Sequence, residues 1–363
     1  MAHEEKLAEL ERRRAIALAM GGERKLEARR NSGVLNARER IDYLLDEGSF
    51  LEAGLHAYSI RPETRDKSPA DGKIAGYGKV QGRPVALVAN DFTVLGASSA
   101  QVNMKKMGHM KKTARERRMP LVLLGESSGG RMPDRMGASG RATIGQDREE
   151  YRRTRDTPWV STLMGQSYGS STWYSVISDV VFARKGAVMA VTSPRVTSIA
   201  IGQEISAEDL GGWKLHTEVT GLVDQAFDTD EEVLEAVKTF LSYLPSHKGE
   251  APPRVAPKPA GDDQEKLLEI VPEARQRVYD SRRVLRTIAD EGSVFELKSR
   301  FGRAIVTALA RIEGRTVGFL ANNPLHKGGA IDPDACDKAV NFLVLCDSFN
   351  IPIISMVDQP GFF

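Results

Sequence analysis

The chain has 363 residues, 41% of them hydrophobic and 28% charged, the make-up of a globular protein with more than one domain. A formal net charge of +2 creates no overall field that would draw in nucleic acid or an anionic membrane. Two cysteines, Cys336 and Cys346, cannot form a disulfide framework, and with no CxxC spacing they make no zinc site, so no bound metal is expected.

The N-terminal segment mixes acids and bases and lacks an apolar leader region, and no stretch of 18 apolar residues occurs. A cytoplasmic protein is expected, or a mitochondrial matrix protein without its leader. The first helix pattern ends at Asp46-Glu-Gly-Ser49, where glycine stops it. Alternating strands follow, Gly72 to Val80 and Val85 to Ala89, joined through a Gly82-Arg83 turn. A glycine-containing loop then precedes a helix from Gln101 to Arg118. Next come the apolar run Leu121 to Leu124 and the glycine turn Glu126-Ser-Ser-Gly-Gly-Arg131.

The same order returns later. The segment Lys79 to Asn90 is echoed by Arg311 to Asn322, and Arg118-Met-Pro120 by Asn350-Ile-Pro352, both at an offset of 232. The helix ending at Ser49 is echoed by one ending at Ser293, at an offset of 244. Three matching blocks in the same order mark a duplicated α/β domain, and strands alternating with helices imply mainly parallel pairing. The expected boundaries are a first domain over 1–244, a Pro- and charge-rich linker over 245–265, and the start of a second domain over 266–363. The second copy stops early, so the natural protein is expected to be longer, or its fold to be completed by something else.

Glycine turns follow several apolar strands: Glu126 to Arg131, Met164 to Ser171, and Lys327 to Asp332. Converging backbone N–H groups at such turns stabilise an oxyanion, and the alternative is a tight turn that needs positive φ. No phosphate-binding loop is present. The helix before the first turn is basic (Lys105, Lys106, His109, Lys111, Lys112, Arg115, Arg117, Arg118), either as a solvated face or as an anchor for the phosphates of a large anionic cofactor. The histidines form no catalytic pairing; His216 and His326 alone lie near motif-like segments. A catalyst with these residues would work by positioning and oxyanion stabilisation.

Several blocks carry a resemblance that runs along nearly the whole chain. They are Ala37 to Phe50, Asp71 to Gly78, Ser128-Gly-Gly-Arg131, Gly202 to Gly212, Leu241 to Pro245, Ala321-Asn-Asn-Pro324, Gly328-Gly329-Ala330 with Asp332, and Val357 to Phe362. With them the chain resembles the β (carboxyltransferase) subunits of propionyl-, acetyl- and methylcrotonoyl-CoA carboxylases and related decarboxylases, of the kind without a zinc ribbon. That resemblance implies a duplicated crotonase-like fold, two ββα-superhelix (ClpP/crotonase) domains, the second apparently incomplete here. It implies an acyl-CoA held mainly by the first domain and carboxybiotin held by the second domain of a neighbouring subunit. Active sites would lie at the dimer interface of a homohexamer, with biotin arriving on a separate carrier and a biotin carboxylase as partner. The implied chemistry is release of CO₂ in a dry site, removal of the acyl α-proton by biotin, and attack of the enolate on CO₂.

By position, the first-domain oxyanion pair falls on Gly169 and Ser170, and its counterpart near 401 and 402 would lie past the end of the chain. Gly129, Gly130, Arg131, Lys105, Lys106 and Tyr168 are the expected acyl-CoA residues, and Gly329, Ala330 and Asp332 the expected lining of the biotin pocket. Ser170 stands where the family usually has glycine, Tyr168 and Trp173 replace smaller or different side chains, and the ending Gln359 to Phe363 also departs from the usual pattern. Three other readings stay open: the same half-reaction run by a decarboxylase, a hydratase or isomerase using Glu126 and Glu204, and an inactive structural subunit.

Overall fold

The computed structural model describes residues 2–138, 153–274 and 276–363. The chain divides into two compact units, one of Met1–Trp213 with Ala226–Lys238, the other of Lys214–Gln225 with Thr239–Phe363.

In the first unit, helices α1 (Glu23–Asn31) and α2 (Ala37–Leu44) precede strands β1 (Leu51–Ala53), β2 (Lys73–Val80) and β3 (Arg83–Asn90). Helix α3 (Gln101–Glu116) crosses to β4 (Leu121–Ser127). After β5 (Trp159–Tyr168) come helix α4 (Ser170–Val176), β6 (Val180–Arg184) and β7 (Val188–Ala190), and the chain returns with β8 (Gln225–Phe227) and the start of α5 (Asp230–Tyr243). Among the described residues these strands form one eight-stranded sheet, ordered β1-β2-β3-β4-β5-β6-β8 with β7 paired to β5. The second unit contains α6 (Ser281–Ile288), β9 (Phe295–Leu297), β10 (Ile305–Ile312), β11 (Arg315–Asn322), α7 (Pro333–Ser348) and β12 (Ile353–Met356), with the sheet order β12-β11-β10-β9.

Parallel pairing is confined to strands on the far side of a crossover helix. β3, β4, β5 and β6 run parallel, as do β11 and β12, whereas β1-β2-β3 and β9-β10-β11 are antiparallel meanders. The expectation of mainly parallel pairing therefore fits the crossovers but not the meanders; the two-residue turns of β2-β3 and β10-β11 are too short for a crossover and force antiparallel neighbours.

The duplication extends to register. Lys73 faces Asn90 and Ile305 faces Asn322; Ala86 faces Leu121 and Gly318 faces Ile353; Leu51 faces Tyr77 and Phe295 faces Leu309. The repeated Asp-Glu-Gly-Ser motif has a matching physical role in both units. Asp46 accepts the N–H groups of Gln81 and Gly82 at 2.9 and 2.7 Å, and Asp290 accepts those of Glu313 and Gly314, both at 2.8 Å. All four turn residues have positive φ, the geometry that lets a two-residue hairpin follow the strand twist. Each carboxylate thus caps the hairpin that follows its helix. The Pro-rich stretch around Pro252 to Gly261 also belongs to this frame: Val255 N–H donates to Gly314 O at 3.0 Å and Gly261 N–H to Ala289 O at 2.8 Å.

Behind each meander a lysine at the sixth position of the crossover helix turns inward. Lys106 donates to Gly54 O and Ala70 O at 3.0 Å and to Lys73 O; Lys338 donates to Phe301 O at 3.0 Å and Ile305 O at 2.7 Å. Residues 73 and 305 are equivalent first strand positions, so both amines cap the same carbonyl. Burial pushes Lys338 down to about 7 and Lys106 to about 8 from the ordinary lysine value of 10.5. The unfolded chain keeps protons that these folded amines release, so stability gains from this source as pH rises above 7 toward 10.5. Accordingly, the urea midpoint of Lys338→Met should change less between pH 7 and pH 9 than that of wild type. Equal changes in the two proteins would rule this coupling out.

Candidate functional site

The first unit brings two glycine turns together at the C-terminal ends of adjacent parallel strands. One follows β4 at Gly129 and Gly130; the other follows β5 at Gly169 and Ser170. A Cβ added to Gly169 would stand 3.7 Å from the Cα of Gly129, so the turns abut at backbone distance. Gly129 (φ 98°) and Gly169 (φ 66°) are in the left-handed region that favours glycine. The Ser99 and Ser170 hydroxyls stand 2.6 Å apart and bridge the loop before α3 to the second turn. Ser99 N–H also donates to Gly129 O at 2.8 Å, and Arg131 N–H to Ser99 O at 2.9 Å.

The amides at this junction are not equivalent. Gly169 N–H is directed at the carbonyls of Ala190 and Val191, at 3.3 and 3.1 Å, and Gly129 N–H at the Ser127 hydroxyl, at 3.1 Å. The N–H groups of Gly130 and Ser170 have no backbone acceptor among the described residues, Ser170 because it opens a helix. Of the expected pair Gly169 and Ser170, only the serine presents an uncommitted amide; the glycine amide is tied to the end of β7.

Below the first turn lies a buried charge cluster. Glu126, on β4, accepts two hydrogen bonds from Arg29 of α1 (3.0 and 2.7 Å) and one from Arg40 of α2 (2.9 Å). Arg40 also reaches Asp230 at 2.9 Å and donates to Met164 O at 3.3 Å, and Arg184 stands 3.4 Å from the other Asp230 oxygen. Gly165 faces this cluster, where a Cβ would fall 2.5 Å from a Glu126 oxygen. Nothing in the sequence paired these residues, because they are separated by up to 190 positions. Glu126 is thus an anchored carboxylate and not a free acid or base, and Glu204 lies exposed after a helix.

Other expected site residues are engaged elsewhere. Arg131 is buried against Asp71 (2.6 Å) and the Ser98 hydroxyl and carbonyl (3.2 Å each), which occupies its guanidinium. Burial raises the Asp71 carboxyl even with Arg131 beside it. Lys105 is exposed, while Lys106 turns its amine inward to the carbonyls described above, because the helix places adjacent residues about 100° apart around its axis. Lys111 is buried with its amine 4.8 Å from the Tyr174 ring, and His109 meets the Tyr77 hydroxyl at 3.1 Å. Tyr168 is buried beside Gly129, and Trp173 is exposed on α4.

In the second unit, Gly329 N–H is bonded to His326 O at 2.9 Å and Ala330 N–H to Lys327 O at 3.1 Å, so both amides serve their own turn. Asp332 caps α7 by accepting Ala335 N–H at 2.8 Å and pairs with Lys327; burial opposes its charge, but these bonds hold the carboxyl below its usual range. The counterpart of the Gly129-Gly130-Arg131 turn is Gly361-Phe362-Phe363, with the same bonding: Ile331 N–H donates to Gly361 O at 3.0 Å and Phe363 N–H to Ile331 O at 2.9 Å. This turn becomes visible in the sequence only when the 232 offset is carried to the end of the second copy. His216 meets Thr220 at 2.9 Å, and burial lowers His326. Cys336 is exposed; burial pushes the Cys346 thiol up to about 12. Among the described residues, no cluster of three or more His, Cys, Asp or Glu is arranged to hold a metal, and no helix is long and apolar enough to cross a membrane.

Comparison with known proteins agrees with this architecture. The carboxyl transferase domain family matches residues 28–363. The chain is 37% identical to the propionyl-CoA carboxylase carboxyltransferase subunit of Haloferax mediterranei, covering 100% of this chain and 71% of that protein. It is 35% identical to the biotin-dependent long chain acyl-coenzyme A carboxylase beta4 subunit of Mycobacterium tuberculosis, covering 99% and 69%. Its fold superposes with a TM-score of 0.92 on the hexameric transcarboxylase 12S with methylmalonyl-coenzyme A and methylmalonic acid bound, at 32% identity, covering 99% of this chain and 71% of that one. The chain belongs to the carboxyl transferase domain family, with the duplicated crotonase-like fold of the carboxyltransferase subunits of biotin-dependent acyl-CoA carboxylases.

The buried cluster yields a direct expectation. Arg40→Met leaves Glu126 and Asp230 with fewer counter-charges in a dry site and should destabilise the protein by about 3–5 kcal/mol. Thermal and urea unfolding measure this, and an unchanged midpoint would show that Arg40 is dispensable.

Proposed function

We propose that this chain moves a carboxyl group from carboxybiotin, carried on a separate protein or domain, to the α-carbon (or vinylogous γ-carbon) of an acyl-CoA. The observation that carries the site assignment is the junction of the two glycine turns in unit 1, with the Ser170 and Gly130 amides uncommitted there. The thioester oxygen gains negative charge as the α-proton leaves, and N–H donors fixed in advance stabilise it without reorganising. Ser170 retains the backbone donor that a glycine would give, while its Cβ and hydroxyl narrow the space and the hydroxyl is held by Ser99. The Tyr168 side chain is packed against Gly129 and limits the same space.

When docked, carboxybiotin supplies CO₂ and a ureido base for the acyl α-proton. The second unit would receive it: Gly329 and Ala330 would shape that pocket without donating, and the Phe362 amide is the counterpart of Gly130. The ion pairs that hold Glu126 and the exposure of Glu204 disfavour a hydratase or isomerase built on those two carboxylates, which needs a poised acid or base. Assembly as a homohexamer with active sites at the dimer interface, a biotin carboxylase partner and a cytoplasmic or matrix location belong to the same proposal. Its support is that relatives over 30% identical carry out biotin-dependent chemistry on acyl-CoA.

The direct assay is biotin-dependent decarboxylation of a panel of carboxylated acyl-CoAs (malonyl, methylmalonyl, methylglutaconyl and larger), with free biotin as acceptor. Turnover of one member identifies the acyl group; a folded protein that binds CoA thioesters but turns over none of them overturns the reading. Ser170→Pro removes the open amide at a position where helices accept proline, and should lower transfer by about 10²–10³-fold. Unchanged turnover in that variant would remove the turn from the site. Lys105→Glu should weaken acyl-CoA binding at low salt, with the difference shrinking as salt is raised. An affinity and salt slope equal to wild type would make that face of α3 merely solvated.

A further inference from the structure

The duplication supplies an internal comparison at the strand that leads into each site. In unit 2, Asn322 ends β11, and its side-chain amide donates to Gly329 O at 3.0 Å, so the asparagine holds the following turn directly. In unit 1 the matching residues are Asn90 and Ala97, and no hydrogen bond joins them among the described residues. Lys73 stands between. Its amine donates to Asn90 Oδ1 at 2.9 Å and to Ala97 O at 3.4 Å. With its oxygen engaged by the lysine, the Asn90 amide points to the Ser171 hydroxyl, 3.5 Å away.

Two branches leave this amine. Along one, Ala97 O also accepts the Ser127 hydroxyl at 3.3 Å, and the Ser127 oxygen accepts Gly129 N–H at 3.1 Å. Along the other, Asn90 reaches Ser171, the residue after Ser170 on α4. Lys73 is 1% exposed and Asn90 5%, so water does not compete for these bonds. Among the described residues no carboxylate hydrogen-bonds the amine. Burial pushes it down to about 7, and the charged groups acting on it are Asp71, Arg131 and Lys106. A buried lysine without a bonded counter-ion is costly in stability, and unit 2 folds the same strand start with Ile305, which is 3% exposed.

We propose that Lys73 is a positioning residue that locks the Gly129 turn and the Ser170 helix start to each other. The inference rests on the reading that this junction receives the thioester oxygen. Lys73 touches neither substrate nor reacting atom; it acts through Asn90, Ala97 and Ser127.

Lys73→Ile places in β2 the residue that β10 already accommodates. Expected are a kcat for carboxyl transfer lowered about tenfold and a KM for acyl-CoA within about twofold of wild type, since misplaced donors cost more in the transition state than in binding. Asn90→Asp keeps the acceptor for Lys73 but discards the donor to Ser171, and should show the same split. If the two act in one chain, the double variant falls no further than the worse single one. Wild-type kcat in a folded Lys73→Ile protein, a change confined to KM, or fully additive losses would each overturn the inference. Should Lys73→Ile fail to fold, Asn90→Asp decides alone, with unchanged kcat counting against the inference. A wild-type protein without any transfer activity would sink the functional reading and this inference with it; an active wild type with an indifferent Lys73→Ile sinks this inference alone.

Discussion

The geometry of unit 1 depends on the ion pairs that hold Glu126 in place. A carboxylate in a dry interior survives only if paired and hydrogen-bonded, because its desolvation costs several kcal/mol. Arg29 and Arg40 supply that pairing, and Arg40 in turn shares Asp230 with Arg184. Five residues from two helices, two strands and the start of a third helix therefore occupy one fixed arrangement. Glu126 lies three residues before Gly129, so the turn inherits its position from the ion cluster. Gly165, on the neighbouring strand, leaves the space that the Glu126 side chain fills. Small-residue turns are compliant by themselves; here they are attached to a part of the molecule that cannot shift without exposing unpaired charge.

The two repeats share a backbone and diverge inside it. Strand register, hairpin turns, aspartate caps and inward lysines recur at constant offsets. Arg40, Lys73 and Arg131 correspond to Val284, Ile305 and Phe363, so these three buried charges belong to one copy only. Main-chain hydrogen bonds set the common frame, since every strand and turn must satisfy its N–H and C=O groups. Side chains beneath that frame were free to separate, and at these positions one copy holds charge where the other holds an apolar group.

The duplication was legible in the sequence because register is a local, periodic property: one offset relates strands, hairpin and crossover helix. The family blocks likewise placed the glycine turns. Partner choice was not legible. Lys105 and Lys106 are neighbours in the sequence, yet one faces water and the other a ring of carbonyls. Arg131 sits in a turn motif, but its partner Asp71 lies 60 residues upstream. The state of the Gly169 amide depends on where β7 ends, which no motif encodes. Long-range pairing of buried polar groups comes from the assembled fold, so sequence reasoning located the glycine turns after their strands and gave some of their residues freer roles than the fold permits.

The inward lysines have a consequence for a protein that works beside thioesters. Neutral amines are nucleophiles, and acyl-CoA thioesters are electrophiles that acylate them. Burial brings Lys73 and Lys338 to about 7 and Lys106 to about 8 from the ordinary 10.5, which shifts all three toward the neutral, nucleophilic form. Each commits N–H groups to carbonyl or amide oxygens, and Lys73 and Lys338 are fully buried. The same burial that favours the neutral amine also withholds it from the cargo, and unfolding would expose the nitrogens only by returning them toward 10.5, where they hold their protons; exposure and nucleophilicity do not coincide.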